Sequence, residues 1–409
     1  TQLEHNQFKV KHNPTTKPAD IIVVNTCGFI DLAKQESIDT ILEYAQLKNE
    51  GKIKKLYVTG CLSQRYRDNL MEEIVEVDDF FGTLEMPALL KRFNVDYKSE
   101  LIGERQITTP SHFAYLKISE GCNRTCSFCA IPLMRGKHIS QPIESLVDQA
   151  KHLAKVGVKE IILIAQELTY YGLDLYKKRA LSELIDKLSE VEGIEWIRLH
   201  YAYPSKFPLE ILDVIRTNTK VCNYLDIPLQ HIADPVLSRM KRQITSIESR
   251  DLIKQIRDKV PDIALRTTML VGFPGESEDD FDQLSRFIEE VRFDRLGVFQ
   301  YSHEEDTSAF LFEDNVPADV KEQRASELMK IQEPISESLN QQKIGKDYKV
   351  LFDRKESGYF VGRTEFDSPE VDNEVLVPSK ENYIRIGDFA QVTITDATAY
   401  DLYAKLSDQ

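Results

Sequence analysis

Apolar residues in the first hundred positions gather in two short β-branched runs, each followed by an amphipathic stretch of helical period. "DIIVVNTCGF" carries Cys27 and leads into "DLAKQESIDTILEYAQ"; "KKLYVTGC" ends at Cys61 and leads into "LSQRYRDNLMEEI". Each reads as a buried parallel strand, a turn and a helix, so residues 1–97 predict an open parallel α/β sheet. After a linker at 98–112, the alternation repeats six times between 113 and 342. Its strands are "YLKIS", "KEIILIAQE", "IEWIRLHYA", "YLDIPLQ", "IALRTTMLVGF" and "RLGVFQYS". Such alternation implies a parallel sheet with right-handed crossovers. Six units fall short of a closed (β/α)₈ barrel, so a partial barrel or an open sheet is expected. Thr245 and Glu248 have the spacing of a capping box, and Pro334 is expected to kink or break the last helix. From 343 to 409 the pattern changes to short strands between turn residues, "YKVLFD", "GYFVGRTEF", "NEVLVP", "DFAQVTITDA" and "YDLYAKL". They predict a small five-stranded β-barrel. The fold class is α/β in three parts.

Composition narrows the class. At 409 residues, 42% hydrophobic and 29% charged, the chain is long enough for several globular cores. No apolar run approaches the roughly 18 residues that span a bilayer, which argues against a membrane protein. No signal peptide is visible, and the six cysteines are too few for a disulfide scaffold. Clustered thiols then point to a reducing cytoplasm, where they hold metal or do chemistry. A net charge of −15 makes nucleic acid the less favoured partner and a basic protein the more favoured one.

The chemistry concentrates in "GCNRTCSFCA", where Cys122, Cys126 and Cys129 stand four and three residues apart just after the first of the six strands. A cubane iron–sulfur cluster takes cysteine thiolates on its irons. Three local thiols would leave one iron open to another ligand. Zinc competes, since a structural site wants four N or S ligands; no second cysteine pair follows, but His138 is near enough in sequence to serve. Phe128, between the last two thiols, either packs the loop or covers a ligand on the open iron. Cys27 and Cys61 both fall at carboxyl ends of strands, where open α/β sheets collect ligands; the alternative is two small buried hydrophobes.

The motif Cys-x₃-Cys-x-aromatic-Cys after the first of six α/β units resembles the radical S-adenosylmethionine superfamily. The resemblance implies that the open iron is chelated by the amino and carboxylate groups of S-adenosylmethionine. An α/β domain with two cysteines before it and a small β-barrel after it resemble the methylthiotransferases of that superfamily, with a terminal TRAM domain. "NTCGFI", "TGC", "SEGCNRTCSFCAIP" and "VGFPGE" carry the likeness, which covers essentially the whole chain. It implies two 4Fe–4S clusters: one on Cys122, Cys126 and Cys129, and an auxiliary one for which Cys27 and Cys61 match the second and third ligands. The first auxiliary ligand is expected before Thr1.

Within this family some members modify an adenosine of transfer RNA, and another branch modifies an aspartate of protein 12 of the small ribosomal subunit. "NTCGFIDLAKQESIDTILE" and "GRTEFDSPEVDNEVLV" resemble the latter. The second of these segments holds Glu365, Asp367, Glu370, Asp372 and Glu374 against the single cation Arg363, and is expected to form an acidic patch that docks a basic ribosomal protein; a solvated acidic loop is the alternative. Strand-end residues are the remaining candidates for S-adenosylmethionine: Gln166 and Glu167, His200, Gln230 with His231, and Gly272 with Gly275. Arg198 and Arg266 are expected to pair with carboxylates inside the sheet. Cys222 is expected to pack, and "ESEDDFDQ" to be a solvated first helical turn.

Overall fold

The computed structural model describes residues 2–13, 19–98, 107–380 and 382–407. Most of the linker at 98–112 therefore lies outside the described residues. In the first part, β1 (Ile21–Thr26), β2 (Lys55–Gly60) and β3 (Asp79–Phe80) pair in parallel in that order. Ile22, Val24, Leu56 and Val58 bury this sheet against Ile41 and Leu62 of the two following helices, Asp31–Asn49 and Cys61–Glu73. The register sets Thr26 opposite Gly60.

The central part begins with β4 (Phe113–Lys117), followed by a short ribbon of β5 (Ser119–Glu120) and β6 (Ile139–Ser140). Next come β7 (Glu160–Ile164), β8 (Trp196–Leu199), β9 (Val221–Asp226), β10 (Ala264–Val271) and β11 (Arg295–Gln300). The six long strands form one all-parallel sheet in the order β11-β10-β9-β8-β7-β4. The order follows the chain without a reversal, so right-handed crossovers place every helix on the same side. Leu146, Leu184, Leu212, Ile256 and Phe287 from those helices share a core with Leu116, Ile161, Leu199, Leu225 and Leu265 from the strands.

Local expectations hold where the chemistry is local. Thr245 and Glu248 form a reciprocal capping box. A second box, Ser277 with Asp280, opens the next helix; the expected solvated first turn of "ESEDDFDQ" is corrected at Asp280, a buried cap, and at the buried Glu276. Pro334 does not break its helix, which runs without interruption from Ala318 to Gln341. Only one N–H is lost there, while Leu328, Gln332, Ile335 and Ser336 remain anchored in the interior.

The last part is a closed five-stranded barrel of β12 (Asp347–Glu356), β13 (Tyr359–Arg363), β14 (Glu374–Pro378), β15 (Phe389–Ala397) and β16 (Asp401–Leu406). It seats on the amino ends of the central strands, and the segment after β13 reaches inside the curved sheet. Arg363 pairs with Asp353 at 2.7 Å and with Glu160 at 2.6 Å, and Glu160 also holds Arg198 at 2.8 Å. Asp367 pairs with Arg295, and Asp372 takes Arg266 at 3.3 Å and the Tyr224 hydroxyl at 2.8 Å. The expected pairing of Arg198 and Arg266 with carboxylates is thus present.

This arrangement corrects the expected acidic patch. Asp367 is fully buried and the Asp372 side chain nearly so. Glu365 accepts the Asn223 N–H at 3.0 Å, and Glu374 receives both Arg354 nitrogens, at 2.6 and 2.8 Å. Of the five acids only Glu370 is exposed. Their cations come from distant strands, so counting charges within the segment missed them. The segment is an internal plug, and the expected docking face is not there.

Candidate metal centres

Gly121 turns the chain out of β5 into the three-cysteine loop at φ +76°, a left-handed conformation that favours glycine. A Cβ here would press into the carbonyl oxygen of Gly136 at 2.6 Å. The Cys122 N–H donates to that same carbonyl at 3.1 Å. Ser127 pins the far side: its N–H donates to Met240 at 3.0 Å and its hydroxyl to Arg239 at 2.7 Å. The loop is therefore fixed at both ends before any metal binds.

All three thiols are free and half-buried. Burial pushes the Cys122 thiol up to about 11 and the Cys129 thiol to about 12, and the neighbouring thiols push both the same way. Three such sulfurs cannot all be thiolates without a compensating positive charge, which a cluster of iron ions brings. Among the described residues, no three His, Cys, Asp or Glu side chains converge as a single-ion site requires. A cubane takes each thiolate on a different iron and tolerates wider spacing. His138 does not converge with the thiols as a single-ion site requires, and its Nε2 lies 3.1 Å from the Ser140 hydroxyl. The residues fit a cluster.

Two arginines that sequence reasoning missed frame this loop. Arg242, buried, donates Nη1–H to Cys126 Sγ at 3.3 Å, and the Tyr203 hydroxyl lies 3.5 Å from the same sulfur. Arg124 is sandwiched between Tyr170 and Tyr203, 4.0 and 3.8 Å from the ring centroids. Its Nε and Nη2 donate to Glu167 Oε2 at 3.2 and 3.0 Å. Lying inside the motif at Arg124 was the one available signal; the partners come from other strands.

The strand-end candidates separate. Glu167 is not free for a cofactor: one oxygen takes Arg124 and the other the N–H and hydroxyl of Thr169. His200 is also diverted, its Nε2 lying 2.9 Å from the plug hydroxyl of Ser368. Burial, with Arg198 and Arg266 adding repulsion, lowers its pKa to about 3. Gln166 stays at the cluster end; its Nε2 donates to Glu120 at 3.2 Å, while its buried Oε1 has no partner. Gln230 prolongs β9 through a bridge to Met269. His231 is buried, accepts the Ala233 N–H at 3.0 Å, and sets Nε2 3.7 Å from Glu276 Oε2. Gly272 and Gly275 have φ of +74° and +80°, and their missing side chains make room for Lys321 and Arg239. On that side they serve turn and packing. Phe128 packs edge-on to Phe273 at 6.5 Å beside a buried apolar cluster. Cys222 is buried, as expected.

Cys27 and Cys61 come together at the tips of β1 and β2. Gly60 sits at φ +108°, and a Cβ there would collide with the Thr26 carbonyl oxygen. Gly28 approaches so closely that a Cβ would lie 2.7 Å from the Leu62 nitrogen. Both loops thus touch, and Ser37 holds Cys27 through its N–H and carbonyl at 3.0 and 3.1 Å. Cys27 is exposed and Cys61 half-exposed, unlike packing cysteines. The pair fits as part of a ligand set for a second cluster.

Residues 116–288 match the radical SAM superfamily, residues 344–406 the TRAM domain, and residues 1–82 an uncharacterized protein family, UPF0004. The chain is 60% identical over 406 residues to the ribosomal protein uS12 methylthiotransferase RimO of Cytophaga hutchinsonii, covering 99% of this chain and 93% of that one. The protein of the same name from Flavobacterium johnsoniae is 57% identical over 405 residues, with the same shares covered. The chain belongs to the RimO methylthiotransferase family. Among solved structures, the radical S-adenosylmethionine methyltransferase TsrM of Kitasatospora setae aligns with a TM-score of 0.51, covering 70% of this chain and 64% of that one. At 13% identity that likeness concerns the fold alone. As a RimO-family radical SAM methylthiotransferase, the enzyme uses a 4Fe–4S cluster and S-adenosylmethionine, with a second cluster implied by its amino-terminal domain.

Proposed function

We propose that this enzyme transfers a methylthio group to the β-carbon of an aspartate in ribosomal protein uS12. The observation that carries the reading is full-length identity of 52–60% to relatives of that one name. We assign Cys122, Cys126 and Cys129 to the radical cluster and Cys27 and Cys61 to the auxiliary one. When bound, the first cluster supplies the electron that cleaves S-adenosylmethionine to a 5′-deoxyadenosyl radical. Radical chemistry suits the target, because a Cβ–H beside a carboxylate is not acidic enough for a general base.

The chain's own residues orient and shield. Glu167 locks Arg124 and so the loop between Cys122 and Cys126. Gln166, tied to Glu120 at 3.2 Å, and Gln230 lie at the strand ends where S-adenosylmethionine would sit. Phe128 packs against the buried cluster of Phe273 and Tyr301, an apolar wall beside the thiol loop that would help exclude water. Asp31, Glu305, Asp306 and Glu313 are exposed where the amino-terminal domain meets the central sheet, an acidic rim suited to a basic protein. Among the described residues no helix is long and apolar enough to cross a membrane; a ribosomal substrate favours a cytoplasmic enzyme.

The test is anaerobic reconstitution of the full-length enzyme with reductant and S-adenosylmethionine, offered either uS12 or transfer RNA. Mass spectrometry should find methylthio-aspartate in uS12. Methylthiolated adenosine with unmodified uS12 refutes the proposal.

A further inference from the structure

Arg65 lies one helical turn after Cys61, and its side chain is only 3% exposed. Its Nη1 donates to the carbonyl of Gly28, beside Cys27, at 3.0 Å. The same nitrogen reaches Glu304 Oε2 of the central domain at 3.1 Å, and Nη2 donates to the Glu305 carbonyl at 2.7 Å. Glu304, equally buried, also takes Lys34 at 2.9 Å and the Ser302 hydroxyl at 2.7 Å. The loop then runs on: the Thr307 hydroxyl donates to the Glu304 carbonyl at 2.7 Å, and the Ala309 N–H donates to Ser127 at 2.8 Å. Ser127 sits between Cys126 and Cys129. Hydrogen bonds linked by the covalent 304–309 loop therefore run from one thiol site to the other.

We infer that Arg65 and Glu304 are positioning residues: the strut they form sets the separation between the auxiliary and radical centres, and thereby the efficiency of sulfur transfer. The inference rests on the proposed function in one respect. A hydrogen atom leaves the substrate carbon for the deoxyadenosyl carbon; the carbon radical then forms a C–S bond, the methylthio sulfur leaves its iron, and the released electron is taken up at the auxiliary centre. A carbon radical held too far from that sulfur is quenched by other donors before the bond forms. Because both partners are buried and charged, loss of either leaves the other uncompensated; a displacement of about an ångström would be enough to cost up to about two powers of ten in a positioned step.

Arg65→Gln and Arg65→Lys variants of the reconstituted full-length enzyme test this in two arms. The first is the magnetic interaction between the two reduced clusters, read by electron paramagnetic resonance without substrate. It should weaken in Arg65→Gln and be partly restored in Arg65→Lys. The second is the ratio of 5′-deoxyadenosine to methylthiolated uS12, which should rise roughly tenfold in Arg65→Gln while cleavage of S-adenosylmethionine stays within about twofold of the parent. An unchanged magnetic interaction overturns the inference, as does loss of auxiliary iron from both variants, which would make Arg65 a builder of the site and not its spacer. If the parent enzyme leaves uS12 unmodified, the substrate proposal fails and the magnetic arm alone still decides the strut.

Discussion

Replacing Asp367 with asparagine should loosen the terminal barrel from the central sheet. Asp367 is fully buried; one oxygen faces Arg295, whose side chain is 6% exposed, and the other takes the Thr364 hydroxyl at 2.6 Å. Asparagine keeps the size and removes the charge, leaving a buried guanidinium whose Nη1 still donates to the Asp294 carbonyl at 2.6 Å. Breaking a buried pair costs about 3–5 kcal/mol, and the remaining carbonyl puts the expected loss near 3, roughly two powers of ten in docking. The chain supplies its own reporter: its one tryptophan, Trp196, packs edge-on against Phe389 of the terminal barrel at 4.8 Å. Urea titration followed by Trp196 fluorescence should show an early transition in Asp367→Asn. The control is Asp388→Asn, which breaks the half-exposed pair with Lys159, an interaction worth about 1 kcal/mol. In the parent protein the same early transition should appear in acid, a dependence that Asp367→Asn should lack. Burial opposes ionisation of Asp367, but Arg295, Lys343 and Thr364 outweigh it and hold the carboxyl below its ordinary value. Its contribution is thus complete above about pH 4 and lost as pH falls through the lower folded value. Equal midpoints for the two variants would refute the plug.

Three further outcomes follow from single residues. Arg242→Gln, which removes the charged donor to Cys126, should lower the reduction potential of the radical cluster by about 60 mV, one tenfold step for a single electron; spectroelectrochemistry showing no change or a rise would contradict the geometry. His200 titrates near 3 when folded against about 6.5 when unfolded, so the unfolded chain binds the extra proton and stability falls as pH drops between those values. His200→Gln should flatten that limb, and an unaltered Trp196 midpoint between pH 6 and 4 would count against it. Gly60→Ala forces a Cβ toward the Thr26 carbonyl at φ +108°, a strain of about 1–3 kcal/mol. Iron analysis should find the auxiliary iron depleted with the radical-cluster signal intact.

The strand–helix alternation, the small terminal barrel, the capping box at Thr245 and the grouping of Cys122, Cys126 and Cys129 were all readable by residue number. They depend on hydrophobic period, turn chemistry and short spacing, which act between near neighbours in the chain. What a charged or polar strand-end residue faces was not readable. Glu167 meets Arg124 across 43 residues, Asp367 meets Arg295 across 72, and Arg65 meets Glu304 across 239. A carboxylate carries no mark of which cation will neutralise it. Desolvation makes a partner obligatory once the group is buried, but the packing of whole sheets decides which group arrives. By itself the sequence therefore determined which elements form and where thiols can meet metal. The tertiary structure alone decided that Asp367 and Asp372 became part of a plug, that His200 turned to Ser368, and that Arg65 ties the amino-terminal domain to the 304–305 loop.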